Sequence, residues 1–243
     1  MTSDRLTQAV RRQLGLGRVL PLGNAGDTLW VTESAATAVL RAAAARVPGV
    51  RLGRLRIGAA GPDRVPAQTA PPVPESAPPG ALARLPLRIE AAFEATPALP
   101  LPDSARRLRD ALWDAAAYGV GLEPAAVDLA VTGLLDTDGA EPPALDALSG
   151  LPAAFPAEAE DVKVAEDADG TAPGSATARA AAVAVPGVAR LTARLGGHAH
   201  PARLQIAVDA GHRADDVARA VAMAVTAVTG NVTTVVVTDI APG

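Results

Sequence analysis

Three histidines are the side chains of this chain best suited to chemistry, and they fall close together as His198, His200 and His212. Imidazoles one residue apart with a third nearby are ligands that zinc accepts, and Asp209, Asp215 or Asp216 would supply a fourth donor. The plainer reading is a polar hairpin tip. The three histidines are therefore named as candidate metal ligands, while no metal and no other cofactor is expected. Nucleophilic catalysis needs a Ser, Thr or Cys beside a base that a third group orients. Cysteine is absent and the first half of the chain has no histidine, so a thiolate nucleophile and a site shared by both halves are excluded. Asp103, Asp110 and Asp114 stand among Arg106, Arg107 and Arg109 at helical spacing, which is the pattern of an ion-paired solvent face. Gly15-Leu16-Gly17 lacks the third glycine and the preceding strand of a dinucleotide loop. No catalytic or cofactor-binding residue is assigned, and the expectation is a protein that is not an enzyme.

The elements that would position such groups follow from composition. The chain has 243 residues, 49% hydrophobic but only 2% aromatic. Its core must be built from Ala, Val and Leu, which leaves little for base stacking or aromatic cages. The length suits two small domains. No run of residues approaches the ~20 apolar positions that a membrane span requires. Met1 to Gly17 is polar and charged without the apolar centre of a signal peptide, so a cytoplasmic location is expected, with peripheral attachment at the inner face of the membrane as a variant.

Charge is uneven along the chain. Residues 136–173 hold ten carboxylates against Lys163 alone, and prolines 142, 143, 152, 156 and 173 break the same stretch. That reads as an acidic, solvated linker. A second interruption, residues 61–80, carries Pro62, Pro66, Pro71, Pro72, Pro74, Pro78 and Pro79 and is expected to be a disordered insert. Leu6, Ala9, Val10 and Leu14 share one face of a short basic helix near the start.

The chain repeats itself. Val47-Pro48-Gly49-Val50 and Val185-Pro186-Gly187-Val188 each follow an Ala-rich helical stretch. Proline cannot continue a helix and glycine supplies a backbone conformation that other residues avoid, so these eight residues are structural turns. After each turn come a short strand, an alternating strand, a helix and a closing strand. In the first copy these are Leu52 to Ala59, Leu85 to Glu94, Ser104 to Tyr118 and Val127 to Leu135. In the second they are Arg190 to Leu195, Ala202 to Ala210, Ala214 to Val228 and Thr233 to Ile240. Alternation gives each clear strand one buried face, and Val217, Val221, Val225 and Val228 form one helical stripe. Asp103 or Ser104 is the expected N-cap of the first-copy helix. The closing strands align as Val131-Thr132-Gly133-Leu134 with Val237-Thr238-Asp239-Ile240. The fold class is therefore α+β: two α-β-β-α-β repeats, each a small sheet with helices packed on one face, joined by an acidic Pro-rich linker. The boundaries are a basic amphipathic segment over 1–23, repeat one over 24–135, the linker over 136–173 and repeat two over 174–243.

A helix ending in Val-Pro-Gly-Val, two strands, a striped helix and a last strand reading Val-Val-Val-Thr-Asp-Ile together resemble the alkaline shock protein family of bacterial envelope stress response proteins. Repeat two carries the likeness best, from Ser175 to Pro242. Repeat one carries it through Leu29-Trp30-Val31-Thr32-Glu33, the turn at Val47 to Val50, and Val127 to Leu134. The Pro-rich insert and the Tyr118-Gly119 step depart from the pattern. The resemblance implies a non-enzymatic structural or interaction protein that associates with a small membrane-anchored protein or with itself near the cytoplasmic face of the membrane, with no span of its own. Two alternatives belong to other classes. A K-homology-like nucleic-acid-binding module shares the element order, but no Gly-x-x-Gly loop joins two helices and a pI near 5.4 gives no electrostatic footprint, so no nucleic-acid partner is expected. A ferredoxin-like small-molecule sensor would need polar groups converging between the repeats.

Overall fold

The computed structural model describes residues 17–24, 26–60, 73–74, 76–135, 175–193, 195 and 203–241. Segment 1–16, the acidic linker, residues 61–72 of the insert, and His198 and His200 lie outside the described residues. The class is α+β, with two small sheets and four α-helices among the described residues.

The two Val-Pro-Gly-Val turns start the same construction twice. Helix α1 (Glu33–Ala45) leads through the first turn into β3 (Val50–Ala59), which pairs antiparallel with β4 (Leu87–Ala95). Helix α3 (Ser175–Val183) leads through the second into β6 (Val188–Leu191), antiparallel to β7 (Arg203–Val208). Gly49 and Gly187 both have positive φ, 71° and 90°. A side chain at Gly49 would meet Thr96, and one at Gly187 would meet His212 and Val217. Each turn glycine also accepts a hydrogen bond from the residue just past the second strand, Thr96 N–H to Gly49 at 2.8 Å and Asp209 N–H to Gly187 at 2.9 Å. The turn therefore sets the register of its hairpin as well as ending its helix.

Each half then adds a helix and a closing strand parallel to the middle one. Helix α2 (Leu101–Asp114) precedes β5 (Pro124–Leu134), parallel to β4, and α4 (Ala214–Thr229) precedes β8 (Thr234–Ile240), parallel to β7. The closing strands share a defect. Register shifts where Phe93 faces Val131 and Glu94 faces Gly133, and again where Ile206 faces Val237 and Ala207 faces Asp239. The skipped residues are Thr132 and Thr238, and their hydroxyls donate to the carbonyls of Phe93 and Ile206. A threonine that satisfies its own bulge is thus present at the same place in both halves.

The halves do not keep separate sheets. Strands β1 (Val19–Leu22) and β2 (Leu29–Thr32) come before α1, yet β2 pairs parallel with β8 through Leu29–Val235, Trp30–Val236 and Val31–Val237. The sheets are therefore β1-β2-β8-β7-β6 and β3-β4-β5. The expectation of one sheet per repeat is corrected by this pairing. All four residues of β2 are buried, so the strand is apolar or buried on both faces and needs a central position covered on both sides. The inner faces of both sheets and all four helices share one core, from Leu20 and Val31 through Phe93 and Leu108 to Val221 and Val237.

The outer face of the five-stranded sheet is covered by the end of the Pro-rich insert. Residues 76–86 cross it as a strap: Thr234 Oγ1 donates to the Ser76 carbonyl, Arg203 to Ala77, and Val19 N–H to Gly80. Arg84 donates to the carbonyls of Leu22, Gly23 and Asp27 and lies 5.7 Å from the Trp30 ring centroid. Beneath the strap Val19, Trp30, Leu195 and Val236 form a second apolar cluster. The expectation of disorder over 61–80 is corrected for residues 76–80. Proline does not prevent packing where an edge and an apolar ring offer partners.

The start of α2 is a further correction. Its N-cap is Pro100 without a side-chain cap, Asp103 lies in the first turn, and Ser104 is buried beside Leu108 and Leu112. The helix then widens into a π turn, Ala115–Val120, which ends at Gly121 with φ 86°. Such turns insert one extra residue and re-aim the side chains that follow.

Candidate functional site

Of the candidate metal ligands, His212, Asp209, Asp215 and Asp216 lie among the described residues, and they do not form a ligand set. His212 is exposed, its Nδ1 is 3.3 Å from the Ala210 carbonyl, and its ring lies against the second turn. Asp215, beside it in sequence, is claimed by Arg213 in a two-pronged pair, Nε to Oδ1 at 3.1 Å and Nη2 to Oδ2 at 3.0 Å. The hydrogen bond and charge of Asp215 hold Arg213 above its ordinary range, with Asp216 and the Tyr118 hydroxyl adding to the effect. Asp216 pairs with Arg219, which also reaches Asp27 at 3.4 Å. Among the described residues no group of three or more His, Asp or Glu is placed to hold a metal ion.

The arginine and aspartate cluster instead forms a seam between the halves. Asp215 sits against Gly121 of the π turn: a Cβ on Gly121 would lie 2.2 Å from the Asp215 carboxyl carbon. The seam continues through Arg219 and Asp27 to the turn before β2. Both carboxylates at the start of α4 are thus paired with arginine. Asp103 pairs with Arg106 on the outside of α2, as its spacing implies.

Beside the seam is a groove of about 430 Å³. Its walls come from the ends of α1, α2 and β8, and alanine is their commonest residue, with Ala42, Ala43, Ala111 and Ala115 beside Val39, Val47 and Ile240. Arg46 and Asp114 supply its charge. Small side chains on facing helices leave this depression because nothing on them is long enough to fill it.

Two aromatic residues stand exposed on α2 and its π turn. Trp113 is 41% exposed and Tyr118 67%. The chain has five aromatic residues, of which Trp30 and Phe93 are fully buried. Two of five aromatic residues at the surface of one element set α2 and its π turn apart. Sequence reading missed the pair because it follows the apolar stripe of α2, and Trp113 lies off that stripe. The available signal was scarcity: an aromatic off the core face in a chain with almost none.

The other conspicuous surface is the outer side of the three-stranded sheet. It is laced with cross-strand charge pairs, Arg51 with Glu94 at 3.1 Å and Arg88 with Asp128 at 3.2 Å. These pairs neutralise the face rather than concentrate one sign on it.

Among the described residues no helix is long and apolar enough to cross a membrane. Comparison of the chain with family models, with curated proteins and with solved structures returns no match.

Proposed function

We propose that the protein acts without catalysis, by protein–protein association of the envelope-stress type at or near the cytoplasmic face of the membrane. The observation that carries this reading is the exposure of Trp113 and Tyr118 on α2 and its π turn. Trp, Tyr and Arg dominate binding energy at protein interfaces, because they bury large area at little conformational cost. Arg106, Arg107 and Arg109 lie on the same helix and would form a polar rim. The resemblance of the turns and the closing strand to the alkaline shock proteins supports the same class and suggests a small membrane-anchored partner.

The test is photo-crosslinking in the native cell from a reactive residue at position 118, followed by fractionation. One membrane-protein adduct is the expected outcome, with recovery falling at least tenfold in Trp113→Ala while the circular dichroism spectrum is unchanged. A soluble monomer that gives no adduct and whose melting temperature rises with a metabolite would replace this reading with the sensor one. Salt-sensitive retention on RNA or DNA would favour a nucleic-acid module instead.

A further inference from the structure

The halves of this protein treat the same strand edge differently. On β8, residues Val235, Val236 and Val237 are covered by β2. Counting from the shared bulges at Thr238 and Thr132, the corresponding residues of β5 are Leu129, Ala130 and Val131. Among the described residues β5 pairs with β4 alone. This edge is long, 11 residues, and from Ala130 to Leu134 it carries no charge. Val131 and Leu134 are 47% and 59% exposed. Its one carboxylate, Asp128, is paired with Arg88. At its beginning Arg109 donates to the Val127 carbonyl, so the open stretch is Asp128 to Leu134.

The opposite edge of the same sheet is closed by side chains. Glu33 Oε1 accepts the Ile57 N–H at 3.4 Å and Arg18 Nη2 donates to the Ile57 carbonyl at 2.5 Å. Arg41 donates to the Gly53 carbonyl at 3.1 Å. Natural sheets blunt edges in this way because an exposed strand is a template for another chain. One edge is blunted and the other is left apolar.

We infer that β5 pairs antiparallel with β5 of a second copy, joining two three-stranded sheets into one of six strands about a two-fold axis near Val131. A symmetric edge contact must be antiparallel. That geometry places Val131 beside its own copy, buries apolar atoms that are now exposed, and sets no like charges opposite each other within Asp128 to Leu134. It also sets the two Leu134 ends of the strands at opposite ends of the joint sheet, where a parallel pairing would lay them side by side. The segment that leads into α3 is ill suited to cover the edge as β2 covers β8. The residues just before α3, Asp167-Ala168-Asp169-Gly170-Thr171-Ala172-Pro173-Gly174, are poor strand formers.

The experiment is light scattering on the full chain after size exclusion, across a hundredfold range of concentration. The expected mass is twice 24.3 kDa at the upper end, falling to one chain on dilution. Ala130→Lys should raise the dissociation constant at least tenfold with an unchanged melting profile of the monomer, since Ala130 is exposed. Because the chain has no cysteine, single substitutions Ala130→Cys, Val131→Cys and Thr132→Cys report the axis directly. At least one should form an intermolecular disulfide under mild oxidation, while a cysteine placed at exposed Met223 on α4 should not. A monomer at every concentration overturns the inference, whether the edge stays open or the chain covers it. A dimer that ignores Ala130→Lys and fails to crosslink through β5 also overturns it.

Discussion

Glu33 holds more of this fold than one carboxylate usually does. It starts α1 after the Thr32 cap, and its two oxygens meet the Arg18 guanidinium at 3.2 and 3.3 Å while one of them accepts the Ile57 N–H. Burial pushes its carboxyl up, but the hydrogen bonds and charge of Arg18 outweigh that and leave it below its ordinary range. A carboxylate whose pKa is depressed by folding adds stability that is present above its unfolded pKa and lost as pH falls through the folded one. Glu33→Gln should therefore lower the urea midpoint at neutral pH, and the deficit should shrink as pH falls through the folded pKa. Gly121 is the second residue on which much depends. With φ 86° and Asp215 pressed against its Cα, Gly121→Ala must strain the backbone and displace a carboxylate clamped by Arg213. A loss of at least about 2 kcal/mol by chemical denaturation is expected, since the neighbour is a bonded side chain with little room to move.

Among the elements, β2 and the strap were the hardest to place from sequence. Turns and bulges are local: Val-Pro-Gly-Val, the alternation of β4 and the Thr-containing ends of β5 and β8 are read where they stand. Pairing of β2 with β8 is a contact between residues about two hundred positions apart, and no periodicity encodes it. Its signal was the run Leu29-Trp30-Val31-Thr32 with no polar side, which implies cover on both faces. The strap was hidden by its own composition, since proline-rich segments usually leave their backbone to water. Here the carbonyls of Ser76, Ala77 and Gly80 find donors on β8, β7 and β1. The exposure of Trp113 was illegible for a related reason, because it is settled by the packing of its neighbours. The two tryptophans make these placements measurable. Trp30→Ala should remove roughly 3–5 kcal/mol of stability by emptying the cluster under the strap. Trp113→Ala should leave the denaturation midpoint nearly unchanged and remove the tryptophan emission that iodide quenches.

At the scale of the whole molecule, the two repeats are halves of one body rather than beads on a linker. Strands β1 and β2 of the first half lie in the sheet of the second, and their cores are continuous. Separating the halves would strip β8 of its neighbour and expose the apolar outer face that the strap covers. The fragment 174–243 is expected to lack a cooperative thermal transition, whereas the full chain should unfold in a single step by both circular dichroism and Trp30 fluorescence. Crossing strands also set an order of events in the cell. The Thr28 hydroxyl donates to the Thr233 carbonyl across 205 positions, and β2 leaves the ribosome about two hundred residues before its partner β8. The larger sheet can therefore close only after β8 has been released, and until then its early apolar strand has to be kept from other company.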